Sequence, residues 1–214
     1  MNSSKLVVDS LKTIPNNVKA IVSASAIGWY GADPKIPNAN PFTEDAPSDS
    51  GFLSKSCKLW EESIEPVIQS GIRLVKLRIG IVLSKEGGAL KEFLKPLKFG
   101  VATILGNGKQ IISWIHIDDL VNMFIAAIEY EKMSGVYNAV APNPVSNKEL
   151  ILQLAKSRKF FFIPIRVPSF ILKIILGEMS VEVLKSATVS AEKVQKTGFV
   201  FQYPRIPEAL ENLK

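Results

Sequence analysis

The chain has 214 residues, is 47% hydrophobic, carries a formal net charge of +6, and contains one cysteine and one histidine. Its length and apolar content suffice for a packed core. The lone Cys57 excludes an internal disulfide or a multi-cysteine metal site, so no metal centre is expected, and it favours a reducing compartment, with the cytoplasm as the expected location. The lysines are dispersed and accompany no nucleic-acid motif, and no apolar run reaches the roughly 20 residues that span a bilayer, so neither nucleic acid nor membrane is an expected partner.

Ser3–Lys12 reads as a short amphipathic helix, with Leu6, Val7 and Leu11 at helical spacing, stopped by Pro15 and Asn16–Asn17. Val18–Ser25 is a continuous apolar run that turns into small residues, as a buried parallel strand does where its carboxyl end meets a ligand crevice. The Gly-, Pro-, Asn- and Asp-rich stretch Gly28–Ser50 is too long for a simple connection and points to a functional loop. A helix over Phe52–Gln69, ended by Gly71, and a strand over Ile72–Leu83 form the next crossover unit of a parallel sheet. Gly87–Gly88 precedes a basic helix, Ala89–Lys98.

Lys109–Ile117 reads as extended, and Asp118 as the N-cap of a helix Asp119–Glu129, since a carboxylate there can take up free first-turn amides. Gly135–Pro142 is a third short strand. Asn143–Pro144 marks a boundary between residues 1–144 and a smaller lobe, 145–214. In that lobe the pattern predicts helices over Asn147–Ser157, Ser169–Leu176, a segment around Ser180–Ala187 and Ile206–Leu213, with an extended Phe160–Pro168. The fold class expected is α/β: a partial doubly wound, Rossmann-like parallel sheet lacking its first strands, plus a small C-terminal α-rich lobe. The apolar Ser169–Leu184 region is expected to pack over a cleft rather than to anchor in a membrane.

Several stretches carry a resemblance: SASAIGWYG (Ser23–Gly31), LRIGIVLSKEGGALK (Leu77–Lys91), GNGKQIISWIHIDDL (Gly106–Leu120), NAVAPNPVSNKEL (Asn138–Leu150) and GFVFQYPRIPEAL (Gly198–Leu210). Together they resemble the extended, atypical short-chain dehydrogenase/reductases, the NAD(P)-dependent sugar-nucleotide epimerase-like proteins with a small C-terminal domain of unknown function. The resemblance implies NAD or NADP as cofactor and redox chemistry on a small-molecule substrate. It puts the serine that partners the catalytic tyrosine at Ser25 or Ala26, with Tyr30 the nearest replacement phenol and His116 a further catalytic candidate, Ser23, Arg78, Gly80 and Val82 beside the cofactor, and Gln110, Trp114 and Asp118 at the substrate cleft.

The sequence departs from that family at the centre of its chemistry. Extended members use a Tyr followed four residues later by Lys, where the ammonium lowers the phenol's pKa and holds the ribose. The four tyrosines here, Tyr30, Tyr130, Tyr137 and Tyr203, are followed at that spacing by Pro34, Ser134, Ala141 and Pro207. Only Lys55 or Lys58 could offer a cation in the corresponding helix, and the Arg expected four residues before the cleft His is Ile112, which weakens a nucleotide-sugar substrate. A dinucleotide-binding pseudoenzyme or sensor is therefore the alternative.

Each candidate also has a plainer reading. Ser25 could cap a turn, and Tyr30 could be a packed loop aromatic. His116 could be a general base oriented by Asp118 or a hydrogen-bonded structural residue. Arg78, inside an apolar strand, must be paired or reach the cleft, and Gly80 either admits a ring to the backbone or marks a bulge. Cys57 lacks a His partner for nucleophilic work, and Gly87–Gly88 lacks the spacing of a phosphate loop.

No Gly-rich dinucleotide turn occurs in the sequence. At roughly 30 residues per βαβ step, three earlier units would add on the order of 90 residues. The expectation is of an N-terminally truncated form, in which Val18–Ser25 becomes an exposed edge open to self-association and dinucleotide binds weakly.

Overall fold

The structure, a computed structural model, describes residues 2–159, 161–177 and 179–214. Phe160, at the start of the expected extended segment, and Glu178 lie outside the described residues. The chain runs through α1 (Asn2–Thr13), β1 (Ala20–Ala26), α2 (Phe52–Ile64), β2 (Arg73–Ile79), β3 (Ile81–Leu83), α3 (Ala89–Leu97), β4 (Val101–Leu105) and β5 (Ile111–Ile112). It continues through β6 (Trp114–His116), α4 (Ile117–Glu129), β7 (Gly135–Ala139), β8 (Val145–Ser146), α5 (Asn147–Ser157), β9 (Ile163–Val167), α6 (Ser169–Leu176), α7 (Met179–Leu184), α8 (Glu192–Gln195) and α9 (Ile206–Asn212).

A parallel sheet in the order β1-β2-β7 forms the centre, with β1 as an outer strand. Helix α2 continues as a 3-10 segment, Glu65–Ser70, and Gly71 closes it in the left-handed region at φ 72° before the chain turns into β2. Burial along β2 is continuous from Leu74 to Arg78, the pattern of a strand covered on both faces. Register places Ser25, Arg78 and Asn138 side by side across the three strands. Residues in register on parallel strands point to one face, so the sheet carries a row of polar side chains near its carboxyl end.

The strand expected over Ile72–Leu83 is two strands, because the sheet splits at Gly80. The Gly80 amide donates to Ala139 O at 3.1 Å, and the next amide, Ile81, donates to Ser113 O at 2.9 Å, so β3 leaves β7 and pairs with β6. A Cβ on Gly80 would sit 2.5 Å from Ser113 O and 2.8 Å from Val140 Cγ1. The glycine serves close backbone approach, not an opening for a ligand ring.

Two larger cores flank this split. One gathers Val75, Leu77, Met123, Tyr137, Val194 and Phe199, and the other Leu83, Leu97, Trp114, Leu150, Leu154 and Leu210. Both draw side chains from before and after Asn143–Pro144, so packing is continuous across the expected lobe boundary. Strand β4 pairs in parallel with β9, and β5 pairs antiparallel with β8. Helix α6 has the expected bounds, and α7 is shorter than the helical segment expected there.

Replacing Gly80 by Ala should destabilise the chain by about 1–3 kcal/mol, the usual cost of forcing atoms into a filled space. Urea unfolding measures this; wild-type stability in Gly80→Ala would contradict the close-approach role.

Candidate functional site

The polar row on the sheet is covered by α2 and by the loop that follows β1. Helix α2 buries Ser54, Cys57, Glu61 and Ile64 along one stripe, and this spacing brings Glu61 over β2. The Glu61 carboxylate accepts from Arg78 Nε at 2.8 Å and from Arg78 Nη2 at 3.1 Å, and also takes the Ser25 hydroxyl at 2.8 Å. Arg78 Nη1 donates to Tyr30 Oη and to Glu44 O, both at 3.0 Å, and the guanidinium lies 3.7 Å above the Trp29 ring. Burial alone would ease the proton off Arg78, but Glu61 and Tyr30 more than offset it, and its pKa rises above the ordinary value.

Tyr30 has no exposed surface. Its hydroxyl donates to Asn138 Oδ1 at 2.7 Å while accepting from Arg78, and its ring stacks on Phe42 at 5.2 Å. Burial raises the phenol's pKa against the lowering effect of Arg78, the opposite of the activation that a neighbouring lysine gives. Asn138 is itself satisfied: its amide donates to Glu44 Oε1 at 2.8 Å and its Nδ2 to Ser190 O at 3.1 Å. Ser25 and Tyr30 thus meet in one sealed network with Glu61, Arg78, Asn138 and Glu44.

His116 stands apart from that network, at the start of α4. It caps the helix: Nδ1 accepts the Asp118 amide at 3.1 Å. This corrects the expectation that Asp118 is the cap and that the helix starts at Asp119; the imidazole reaches the free amide first, and Asp118 stays exposed with Oδ2 3.7 Å from Nδ1. With Nδ1 accepting, the neutral ring carries its proton on Nε2, which finds no partner among the described residues. The ring packs 4.0 Å from Tyr203, and burial depresses its pKa despite the opposing pull of Asp118. The neighbouring Asp119, fully buried, ties the C-terminal segment down through the Gln202 and Tyr203 amides at 2.7 and 3.0 Å.

A cavity of about 580 Å³ is lined by Ile36, Gly106, Asn107, Gln110, Arg166, Pro168, Ser169 and Leu184. Of the three cleft candidates it contains Gln110. Trp114 is a core residue whose Nε1 donates to Asn143 O at 2.9 Å, a correction that follows from β6 being covered on both faces. Asp118 does not line the cavity. The α6–α7 region borders it through Ser169 and Leu184, but Trp114 and His116, the residues over which Ser169–Leu184 is expected to pack, are not in its lining.

Sequence reasoning missed Asp33, which fixes the rim. Its carboxylate accepts from Asn38 Nδ2, Ser186 Oγ, Thr188 N and Thr188 Oγ1 at 2.7–3.0 Å, joining the loop that carries Ile36 to the strap after Leu184. Nothing in the local pattern distinguishes it from the other loop carboxylates.

Arg78 is committed to Glu61, Gly80 faces Ser113 and Val140, and Ser23 and Val82 are half-buried strand residues. Lys55 is exposed at the start of α2, and Lys58 faces Glu62 at 3.9 Å. Cys57 is buried, with its thiol pushed up by burial. Among the described residues there is no His/Cys/Asp/Glu group suited to a metal, and no helix is long and apolar enough to cross a membrane.

A parallel sheet with crossover helices, a crevice past its strand ends and a small helical segment behind it define a Rossmann-like α/β protein, and comparison with known proteins gives its family. The chain belongs to the NAD dependent epimerase/dehydratase family, which residues 3–139 match, while residues 167–213 match a domain of unknown function, DUF1731. It is 36% identical over 208 residues to the chloroplastic epimerase family protein SDR39U1 homolog of Arabidopsis thaliana, covering 95% of this chain and 58% of that protein. It is 35% identical to the epimerase family protein YfhF of Bacillus subtilis, covering 100% of this chain and 69% of the relative. The human epimerase family protein SDR39U1 (isoform 2), solved with NADPH, superposes with a TM-score of 0.87 at 26% identity, over 99% of this chain and 70% of that one.

The lowered pKa of His116 has a definite sign in stability. The folded value lies below the ordinary 6.5, so on acidification the unfolded chain takes up the proton first; the stability is complete above about 6.5 and declines as pH falls through the folded value. Since there is one histidine, urea midpoints between about pH 7 and about pH 5 should fall more in the native chain than in His116→Asn, which keeps a capping side chain. Identical pH dependence in the two would remove the buried neutral imidazole.

Proposed function

We propose that the chain is an NAD(P)-linked epimerase/dehydratase-type oxidoreductase by descent and site plan, whose 214 residues hold the small-molecule side and bind dinucleotide weakly, without turnover. The observation that carries this reading is the contrast between two sets of polar groups. Ser25 and Tyr30, the proton-transfer candidates, have their oxygens engaged by Glu61, Asn138 and Arg78 in the interior, whereas Asn107, Arg166 and Ser169 face an open cleft. The NADPH of the human relative supports the phosphorylated dinucleotide as the partner.

The second reading is a dinucleotide-binding sensor or pseudoenzyme, and the missing Tyr–Lys pair favours it. Phe52, 82% exposed, opens the helix in which the phenol would stand, and an ammonium such as Lys55 has no phenol beside it to activate. Burial of the single cysteine fits a reducing, cytoplasmic setting. The outer edge of β1 is the surface from which we expect any self-association.

Titrating the chain with NADPH while following tryptophan fluorescence and nicotinamide absorbance tests the reading. Binding weaker than about 100 μM, with no oxidation of the nicotinamide, is the expected result. Low-micromolar affinity, or NADPH oxidation that disappears in a folded Tyr30→Phe variant, would contradict it.

A further inference from the structure

The acidic residues leave two long gaps in the sequence. No Asp or Glu lies between Glu92 and Asp118 or between Glu149 and Glu178, the two longest such intervals, whereas Lys98, Lys156, Lys159 and Lys173 fall within them. Folding brings these distant stretches together: β4 from the first and β9 from the second pair in parallel, Val101 beside Ile163 and Leu105 beside Val167. The positive charge of one stretch therefore adds to that of the other, with no carboxylate in either to offset it.

The same surface is apolar. Ala102 and Ile104 of β4 are buried, so Val101, Thr103 and Leu105 turn to the opposite face of the strand pair, in register with Ile163, Ile165 and Val167. On that face Ile163 is 56% and Ile165 45% exposed. At its amino end Phe99 and Phe161 are 86% and 85% exposed, and their backbones are adjacent: Gly100, which follows Phe99, accepts the Ile163 amide at 2.8 Å. Lys98 precedes one ring and Lys159 lies two residues before the other, both exposed. Helix α6 continues the composition, with Phe170, Ile174 and Ile175 exposed around Lys173.

Edge and charge together select what can cover this face. In a parallel pair alternate residues bond to the neighbouring strand. The Ile163 amide reaches Gly100 O and Val167 O accepts the Gly106 amide, so Pro164, out of phase with both, turns its backbone to the free edge, where it has no N–H to give. Strand addition is blocked there. A second copy would set like charges against each other. Exposed phenylalanines interspersed with lysines suit an anionic phospholipid surface, where the rings enter the acyl boundary while the ammonium groups reach the headgroups along their apolar stems. The expectation against a membrane partner rests on the absence of a spanning run, which a face held by ring tips does not need.

We propose that the outer face of β4–β9, led by Phe99 and Phe161 with Lys98 and Lys159, docks on the surface of membranes rich in anionic phospholipid. It involves neither the cavity nor a dinucleotide, so it is tested independently of the NADPH titration.

The experiment is co-sedimentation of the chain with vesicles of phosphatidylcholine alone, and of phosphatidylcholine and phosphatidylglycerol in equal parts. Binding is expected to the mixed vesicles only, weakening about tenfold between about 0.05 and about 0.5 M salt. Phe99→Ser combined with Phe161→Ser, with folding checked by circular dichroism, should weaken it about tenfold, as should Lys98→Gln combined with Lys159→Gln. Lys12→Gln combined with Lys132→Gln, which removes the same charge from other exposed positions, should leave it unchanged. Equal loss in the two lysine pairs would reduce the effect to net charge, undiminished binding without the phenylalanines would remove the apolar contact, and equal binding to both vesicles would remove the anionic lipid; each overturns the proposal. Absence of vesicle binding overturns it outright. In that case saturable binding of soluble polyglutamate would assign the face to an acidic polypeptide, and a dimer lost with Phe99 and Phe161 would assign it to a second copy.

Discussion

Glu61 and Arg78 meet in a nearly water-free space, with side chains 4% and 3% exposed, and the arrangement of the sheet's carboxyl end depends on that contact. A guanidinium in an apolar strand requires a partner in fixed geometry, and a carboxylate forked across Nε and Nη2 supplies it. Such a pair contributes little net stability over apolar residues of the same volume, but loss of either member would leave an uncompensated charge. Its structural effect is positional. The remaining guanidinium donors fall on Tyr30 and Glu44, drawing the loop after β1 down onto the sheet, and Lys76 extends the cluster with its ammonium 2.6 Å from Glu65 and 3.7 Å from Glu61.

With that loop in place the rest of the cleft rim follows. Tyr30 brings Phe42 onto its ring, and Phe42 forms backbone hydrogen bonds with Thr188 and Ser190. The strap from Ser186 to Ser190 is then held from three directions: by Asp33, by the backbone of Ile111, and by Ser113, whose hydroxyl donates to Ala187 O at 2.8 Å and accepts the Val189 amide at 3.0 Å. Leu184, just before the strap, and Ile36, just after Asp33, are consequently brought to the lining of one cavity. The polar network and the cleft are separate, but one braces the other.

Local pattern carried much of this architecture. Helix α5 keeps the bounds Asn147–Ser157 because Ser146 accepts the Glu149 amide at its start, a signal visible in the residues themselves. Strand β4, VATIL, is not legible in the sequence because its residues do not alternate between polar and apolar, although their burial does, and its partner β9 lies far along the chain. Gly80 was legible as a special residue but not as the point where strands exchange partners, since that depends on Ser113 and Val140 arriving from elsewhere. Arg78 announced the need for a partner. Glu61 could have been found from its helical spacing with Cys57 and Ile64, whereas Asn138 and Asp33 have no signal outside the folded chain.

The Tyr30 phenol is sealed in the interior as a structural group. Tyrosinate absorbance followed through an alkaline titration, with unfolding monitored in parallel, addresses it directly. In the native chain Tyr30 should ionise above the ordinary value of about 10, and Tyr30→Phe should remove that late component. A Tyr30 signal ionising below 10 in the folded chain would mark an activated, accessible phenol and contradict the account.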